Sequence, residues 1–301
     1  MPFALDLPLQ RIALIGKPDA PRIGELLPRI YHHLTARGLT VTLDSDCATL
    51  LPAPLPSLPL DRLGRSADLA VVVGGDGTLL SAARAMAERR VPLVGINLGR
   101  LGFLVDISPE ECLDRLDQIL AGHYRCEERH LLRARILCQG EVIHERTAVN
   151  DVVVRSSNAT RMIEIVTHID GTFFNAQRSD GLIVSTPTGS TAYALSGGGP
   201  ILHPTLKAIV LVPINPHTLS NRPVVIAAHS AVEITFRPSK QFQAQMACDS
   251  VAIPDVKVTD TIRIVTDPQP FRMLHPADHD FYQILRAKLN WSSGYPTETP
   301  C

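Results

Sequence analysis

The sequence contains few cysteines, and none of them forms part of a metal or disulfide motif. The chain has 301 residues, of which six are cysteine. None of the six falls into a Cys-x-x-Cys pair or a Cys/His cluster, which argues against structural zinc and against a disulfide framework. We therefore expect a protein of the reducing cytoplasm.

The chain also lacks an excess of charge and a long apolar run. Lysine and arginine together number 29, against 30 for aspartate and glutamate. This balance does not favour nucleic acid or an acidic membrane as a partner, so any anion site has to be built locally. No apolar run approaches the roughly 18 residues that would span a bilayer, and the first ten residues do not resemble a signal peptide. We expect a soluble, untargeted protein.

A third missing feature is the dinucleotide fingerprint of oxidoreductases. The first strand and turn, "LIGKPDAPRIGEL" (14–26), lack the G-x-G-x-x-G pattern. The sequence also shows no constellation of residues suited to hydride transfer. A nicotinamide-dependent oxidoreductase is therefore disfavoured, although the strand and helix pattern alone would permit one.

The order of apolar segments predicts two kinds of domain. The first third alternates strand-like and helix-like segments, which is typical of a parallel sheet with covering helices. From about residue 130 the chain changes to short strand-like runs, and helical spacing returns only at 279–290. We predict an α/β domain over 1–105, a strand-rich domain over 106–276, and a segment over 277–301. In that last segment a helix packs back on the N-terminal domain and a tail follows.

The stretch "VVVGGDGTLL" (71–80) runs from a strand through three glycines into a helix. Glycines permit positive φ and leave room for an anion to approach the backbone N–H groups at a helix N-terminus. The negative charge of phosphates would repel an aspartate unless the aspartate contacts a metal ion or accepts a hydrogen bond from a hydroxyl group. The pattern favours a phosphate loop with Asp76 in a chemical role, and a helix cap is the structural alternative.

A second glycine-rich segment, "RSDGLIVSTPTGSTAYALSGGGPIL" (178–202), joins a strand to a predicted helix that begins near Thr191. Its serines and threonines offer neutral hydrogen-bond donors, although an ordinary loop with a cap would have a similar composition. The segment "HPADHD" (275–280) contains a His-Asp pair. Its helical context and the lack of distant ligands argue against a metal site, so we predict no metal-ligating residues.

Five motifs, in this order along the chain, resemble those of bacterial-type NAD kinases. The 22-residue motif at 180–201 is highly specific, whereas "GGDGT" alone also occurs in lipid kinases. The motifs are "GGDGTLL" (74–80), "NLGRLGFL" (97–104), "VNDVVV" (149–154), "DGLIVSTPTGSTAYALSGGGPI" (180–201) and "PHTLSNRP" (216–223). The resemblance implies a Rossmann-like N-terminal domain, a β-sandwich-like C-terminal domain that binds NAD, a site between them, and a homodimer or homotetramer.

The implied activity is ATP-dependent phosphorylation of the 2′-hydroxyl of the adenosine ribose of NAD, with Mg²⁺ or another divalent cation. By resemblance Asp76 is the catalytic residue. The implied binding residues for NAD and the nucleotide phosphates are Gly74, Gly75, Gly77, Thr78, Asn150, Asp151, Arg178, Asp180, Thr188, Thr191, Ala192, Tyr193, Ser196 and Asp249.

This chain departs from the family pattern at two positions. It has Asp151 where many relatives have glutamate, and Ser250 follows Asp249 where relatives have glycine. A lipid or sugar kinase and a non-catalytic dinucleotide sensor are the alternative functions. The sequence leaves open the choice between dimer and tetramer, between ATP and polyphosphate as donor, the extent of NADH use, and regulation by NADP or NADH.

Overall fold

The computed structural model describes residues 9–51, 55–158 and 161–291. The predicted tail over 292–301 lies outside these residues. The chain divides into two compact units, one formed by 1–128 with 271–301 and the other by 129–270. The boundaries at 105 and 276 stay a prediction. None of the helices in the described ranges is long and apolar enough to cross a bilayer.

The first unit alternates strands and helices as the apolar pattern predicts. Its strands are β1 (Arg11–Gly16), β2 (Thr40–Asp44), β3 (Ser57–Leu58), β4 (Leu69–Val73), β5 (Leu93–Ile96) and β6 (Tyr124–Arg129). Its helices up to this point are α1 (Ile23–Ala36), α2 (Leu60–Leu63), α3 (Asp76–Ala87) and α4 (Cys112–Leu120), with a 3₁₀ turn at Ser45–Leu50.

The second unit consists mainly of strands. They are β7 (Leu132–Cys138), β8 (Glu141–Ala148), β9 (Asp151–Ser156), β10 (Ile163–Ile169), β11 (Thr172–Ser179), β12 (Gly181–Ser185), β13 (Ala208–Ile214), β14 (Val224–Ala227), β15 (Val232–Phe236), β16 (Ala244–Cys248), β17 (Val251–Val256) and β18 (Thr261–Thr266). A 3₁₀ turn (Thr188–Thr191) and the short helix α5 (Tyr193–Ser196) interrupt the series. The predicted helix near Thr191 is therefore only one turn long.

The chain then returns to the first unit with β19 (Phe271–Pro276) and α6 (Phe281–Leu289). The first sheet has the order β3-β2-β1-β4-β5-β19-β6, and its pairs from β3 to β19 are parallel. Strand β4 is buried at every position because it lies in the middle of this sheet. Helical spacing places Phe281, Ile284, Leu285 and Leu289 on one face of α6. The first three are buried and Leu289 is half-buried, so most of this predicted face is confirmed.

Two six-stranded antiparallel sheets form the second unit, with orders β11-β10-β15-β18-β7-β8 and β14-β13-β12-β9-β16-β17. The second of these sheets is buried on both faces, as alternate residues of β12 show. Leu182 and Val184 join the core shared by the two sheets, whereas Ile183 packs in a smaller cluster with Ala194 of α5. The prediction of a parallel α/β sheet followed by a sandwich-like β domain is confirmed.

Candidate active site

The glycine loop, Gly74–Thr78, runs from the end of β4 into the first turn of α3 at the carboxyl edge of the parallel sheet. Gly75 occupies the N-cap position in an extended conformation, with φ −101° and ψ −179°. None of the three loop glycines appears among the described residues with positive φ, so the loop does not use the left-handed backbone that glycine permits. What the loop needs is space rather than an unusual φ angle.

The space around each glycine differs. A Cβ on Gly74 would lie 2.6 Å from Thr78 Oγ1, so this glycine allows the loop to pack against its own helix. A Cβ on Gly75 or Gly77 would meet no heavy atom of the described residues within 4 Å. These two positions are open, and they leave the first N–H groups of α3 accessible to an anion.

Asp76 is the first residue of α3, and its carboxylate is bound to a second loop of the same unit. Its Oδ2 accepts a hydrogen bond from the N–H of Phe103 at 3.0 Å, and its Oδ1 accepts one from Leu104 at 2.9 Å. A Cβ on Gly102 would lie 2.2 Å from Asp76 Oδ1, so only glycine fits there. The motif at 97–104 therefore serves, at least in part, to hold the Asp76 carboxylate in one orientation.

A cleft of about 460 Å³ adjoins the glycine loop within the first unit. The residues that line it include Lys17 after β1, Asp44 at the end of β2, and Asp46. Burial raises the pKa of the Asp44 carboxyl group above its ordinary value. Sequence reasoning missed these three residues, although their positions after neighbouring parallel strands were the available signal.

In the second unit, Asn150 and Asp151 stand at the start of β9. Asp249 binds their backbone: its Oδ1 accepts from the Asn150 N–H at 2.7 Å and from the Asp151 N–H at 3.3 Å, and its Oδ2 accepts from the Val149 N–H at 2.8 Å. Asp249 and Ser250 form the two-residue turn between β16 and β17, with φ angles of 46° and 70°. Two positive φ angles are typical of a type I′ hairpin, in which glycine is favoured at the position that Ser250 occupies.

The side chain of Asp151 is buried, with 5 % of the residue exposed. Burial, reinforced by the nearby charge of Asp249, raises its pKa from 3.8 to about 7. Across the described ranges, neither this carboxyl group nor the Asn150 amide has a hydrogen-bond partner. A buried carboxyl group in this condition is a candidate for binding a ligand.

In the hydroxyl-rich segment at 185–191, most hydroxyl groups donate to the protein's own backbone. Ser185 donates to the Asn150 carbonyl at 3.1 Å, Thr186 to the Val149 carbonyl at 2.7 Å, and Ser190 to the Pro187 carbonyl at 2.6 Å. These three hydroxyls are therefore engaged, contrary to the expectation that they serve a ligand. Thr188 Oγ1, in contrast, is buried and has no partner within the described part of the chain.

The other predicted binding residues vary in their exposure. Thr191 and Ala192 are half-buried, and Tyr193 and Ser196 are exposed on α5. Asp180 accepts a hydrogen bond from the Asn215 amide at 2.9 Å. Arg178 is exposed and lines a pocket of about 300 Å³ together with Arg161, Arg237 and Lys240.

The site residues thus form two groups, one in each unit. The first contains Asp76 and the open glycine loop, and the second contains Asn150, Asp151 and the turn that positions them. Accessible N–H groups at a parallel sheet edge, with a fixed carboxylate beside them, are typical of nucleotide-binding proteins of the α/β class.

Comparison with known proteins identifies the family. Residues 12–124 match the ATP-NAD kinase N-terminal domain, and residues 149–275 match the ATP-NAD kinase C-terminal domain. The NAD kinase of Methylococcus capsulatus is 61% identical over 282 residues, which is 94% of this chain and 97% of that one. The NAD kinase of Nitrosococcus oceani is 49% identical over 285 residues, again 94% of this chain and 97% of that one.

Two solved structures agree with this result. The crystal structure of yeast NADH kinase complexed with NADH has a TM-score of 0.87 and 25% identity, over 98% of this chain and 91% of that one. An Archaeoglobus fulgidus NAD kinase in complex with ATP has a TM-score of 0.73 and 27% identity, over 93% and 99%. The chain belongs to the ATP-NAD kinase family, and its activity is ATP-dependent phosphorylation of NAD. This assignment decides against a lipid or sugar kinase and against a non-catalytic sensor.

Proposed function

We propose that the enzyme transfers the γ-phosphoryl group of ATP to the 2′-hydroxyl of the adenosine ribose of NAD, with Asp76 as the proton acceptor. The observation that carries this proposal is the fixed orientation of the Asp76 carboxylate beside an open phosphate loop. Each of its oxygens accepts one backbone hydrogen bond. A carboxylate offers about four acceptor positions, so two remain for a substrate hydroxyl.

The proposed chemistry needs little base strength. A carboxylate is too weak a base to remove the proton of a ribose hydroxyl before reaction. In a loose phosphoryl-transfer transition state, the bond to the leaving group is largely broken before the nucleophile needs activation. Asp76 then orients the ribose oxygen and takes its proton late in the step. This role depends on the rigid position of the Asp76 carboxylate more than on its strength as a base.

The first unit has residues suited to ATP. The N–H groups around Gly75 and Gly77 would bind phosphate oxygens, and Lys17 would add a positive charge. Asp44, at the end of the second parallel strand, stands where α/β proteins place an acceptor for ribose hydroxyls. Mg²⁺ prefers oxygen ligands, so the exposed Asp46 carboxylate of the same cleft would hold it together with the ATP phosphates. The ion would neutralise charge on the phosphate oxygens.

The second unit has residues suited to NAD. Asn150 and Asp151 would bind the adenosine half, because their side chains have polar atoms that the described residues leave unpaired. Asp249 would act on NAD through the backbone of this pair. The remaining proposed NAD contacts belong to Thr188, Thr191, Ala192, Tyr193 and Ser196. Asp180 would lie near the nicotinamide half, and Arg178 would favour oxidised NAD over NADH.

We also infer that the enzyme forms a homodimer or homotetramer in the cytoplasm. Val142 and Ile143 are neighbours on the edge strand β8, and each is 49% exposed. The first six residues of β8 (141–146) are all exposed, so the strand is uncovered on both faces. Long exposed apolar edges favour pairing with another chain. Light scattering after size-exclusion chromatography measures the number of subunits.

The Asp76→Asn variant tests the proposed reaction. We expect kcat for NADP formation from NAD, ATP and Mg²⁺ to fall by at least about 100-fold, because a general base contributes this much or more. NAD binding, measured by calorimetry, is expected to change by less than about threefold. Asp114→Asn, at an exposed position on α4, is the matched control and should behave as wild type.

Two outcomes would contradict the role of Asp76 as proton acceptor. One is an Asn variant with kcat within threefold of wild type. The other is a loss of NAD binding as large as the loss of activity, since that would mean the carboxylate serves only to hold the loop at Phe103 and Leu104.

A further inference from the structure

A buried cluster in the first unit brings together side chains that are far apart in the sequence. Asp106 follows β5, Glu127 lies in β6, His275 in β19, and His279 just before α6. The His275 side chain is fully buried, and those of His279, Asp106 and Glu127 are 4%, 9% and 15% exposed. The phosphoryl-transfer mechanism uses none of these residues.

The two imidazoles face the same carboxylate oxygen. His275 Nδ1 lies 2.9 Å from Asp106 Oδ2, and His279 Nδ1 lies 2.6 Å from it. The rings are stacked, with centroids 3.9 Å apart and 24° between their planes. One potential ligand atom from each of these three residues therefore lies within 4.8 Å of the other two.

Two buried polar atoms in the cluster have no hydrogen-bond partner among the described residues. They are Asp106 Oδ1 and His279 Nε2. A buried polar atom without a partner destabilises the folded chain, so such atoms are rare unless an ion, water or function accounts for them. Asp106 Oδ1 belongs to the carboxylate that both imidazoles face, so its lack of a partner points to a cation bound at this carboxylate.

We propose that Asp106, His275 and His279 bind a divalent transition-metal ion of the zinc type. Two imidazoles and one carboxylate are a typical three-residue ligand set for zinc, with water completing the tetrahedron. Tetrahedral ligands at about 2.0–2.1 Å from zinc lie about 3.4 Å apart. The present nitrogen–oxygen distances would widen by less than 1 Å, and the stacked rings would turn apart.

Glu127 supplies the outer carboxylate that zinc-bound histidines usually have. Its oxygens lie 3.7 Å from His275 Nε2 and 3.9 Å from His279 Nε2, on the side of the rings opposite Asp106. With Nδ1 bound to the metal, each neutral imidazole carries its proton on Nε2, where it faces Glu127. A carboxylate at this position orients the ring and strengthens the metal-binding nitrogen.

A metal ion also has a way into the cluster. Asp106 and His279 line a cavity of about 220 Å³, together with Glu111, Asp278 and Asp280. These carboxylates attract cations, although Arg115 offsets part of their charge through Asp278 and Glu111. No distant ligand for "HPADHD" was evident in the sequence, which argued against a metal there. Asp106, 169 positions before His275, supplies such a ligand.

The test measures metal bound by the tag-free full-length chain after chelation and gel filtration. We expect one zinc ion per wild-type chain, and a Co²⁺-loaded chain with the visible absorption of a four-coordinate site. Zinc at 100-fold excess over its Kd should raise Tm by about 5 °C or more. His279→Gln and Asp106→Asn should each weaken zinc binding by at least about tenfold, and Glu127→Gln should weaken it by about tenfold.

His33→Gln is the matched control. His33 Nε2 lies 2.9 Å from Asp117 Oδ1, which gives a His–Asp pair without a second histidine. This variant should bind one zinc ion as wild type does. Absence of stoichiometric zinc and Co²⁺ binding by wild type would overturn the proposal, and that measurement requires no variant to fold. Equal zinc binding by wild type and a folded His279→Gln variant would overturn it as well.

Discussion

Replacing Asp151 by asparagine should make the stability of the enzyme less dependent on pH. Burial raises the pKa of Asp151 from 3.8 to about 7 in the folded chain. An acid with a raised pKa holds its proton more tightly when folded, so stability falls as pH rises from about 4 to 7 and stays low above that. The difference in pKa corresponds to about 4 kcal/mol at high pH.

Between pH 5 and pH 8, this group alone should cost wild type about 3 kcal/mol. Asparagine has no proton to lose, so the free energy of unfolding of Asp151→Asn should exceed that of wild type by an amount that grows over this range. Urea unfolding at a series of pH values measures the difference. Asp255→Asn is the control, because this exposed residue has φ 61°, which asparagine tolerates.

The same titration should appear in substrate binding. If ribose hydroxyls of NAD donate to the Asp151 carboxylate, the ionised form binds better, and NAD binding should tighten as pH rises from 6 to 8. A stability difference between Asp151→Asn and wild type that stays constant from pH 5 to pH 8 would refute the reasoning. It would mean that Asp151 is ionised throughout this range.

Four substitutions test the backbone requirements of the site. Ser250→Gly should stabilise the second unit by about 1 kcal/mol, because φ 70° is strained for serine; an unchanged or lower urea midpoint would contradict this. Gly77→Ala should raise Tm slightly, since it adds a helix former in open space. Gly77→Ala and Gly75→Ala should both raise the KM for ATP if phosphates approach the backbone at these two positions. An unchanged KM in both variants would place the phosphates elsewhere. Gly102→Ala should lower kcat at least tenfold with Asp76 intact, because its Cβ would displace the Asp76 carboxylate from a distance of 2.2 Å; a folded variant with normal kcat would argue against that constraint.

Features encoded within a short stretch were predictable from the sequence. The strand, glycine loop and helix at 71–80 are contiguous, so composition and periodicity indicate them directly. The same holds for α6, whose apolar spacing predicts its buried face. The resemblance of longer motifs to a family then indicated the reaction, which local physics alone left open.

Features that depend on distant pairing were not predictable. Strand β19 is one more apolar run after β18, and no residue in it indicates that it joins the first sheet beside β5. His275 and Asp106 are 169 positions apart, so their hydrogen bond has no local signature. The hydroxyls of Ser185 and Thr186 also looked available in the sequence, because the backbone carbonyls they bind lie about 35 residues away.

Asp76 and Asp249 both accept hydrogen bonds from backbone N–H groups. The number of acceptor positions that remain on each indicates that their roles differ. Asp76 accepts two N–H hydrogen bonds, one on each oxygen, and keeps about two of its four acceptor positions. Asp249 accepts three, from Val149, Asn150 and Asp151, and takes part in a further interaction. Asp249 therefore has little capacity left for a ligand and acts by fixing the strand start that carries Asp151. Asp76 accepts fewer backbone hydrogen bonds and keeps free acceptor positions, as its proposed role as proton acceptor requires.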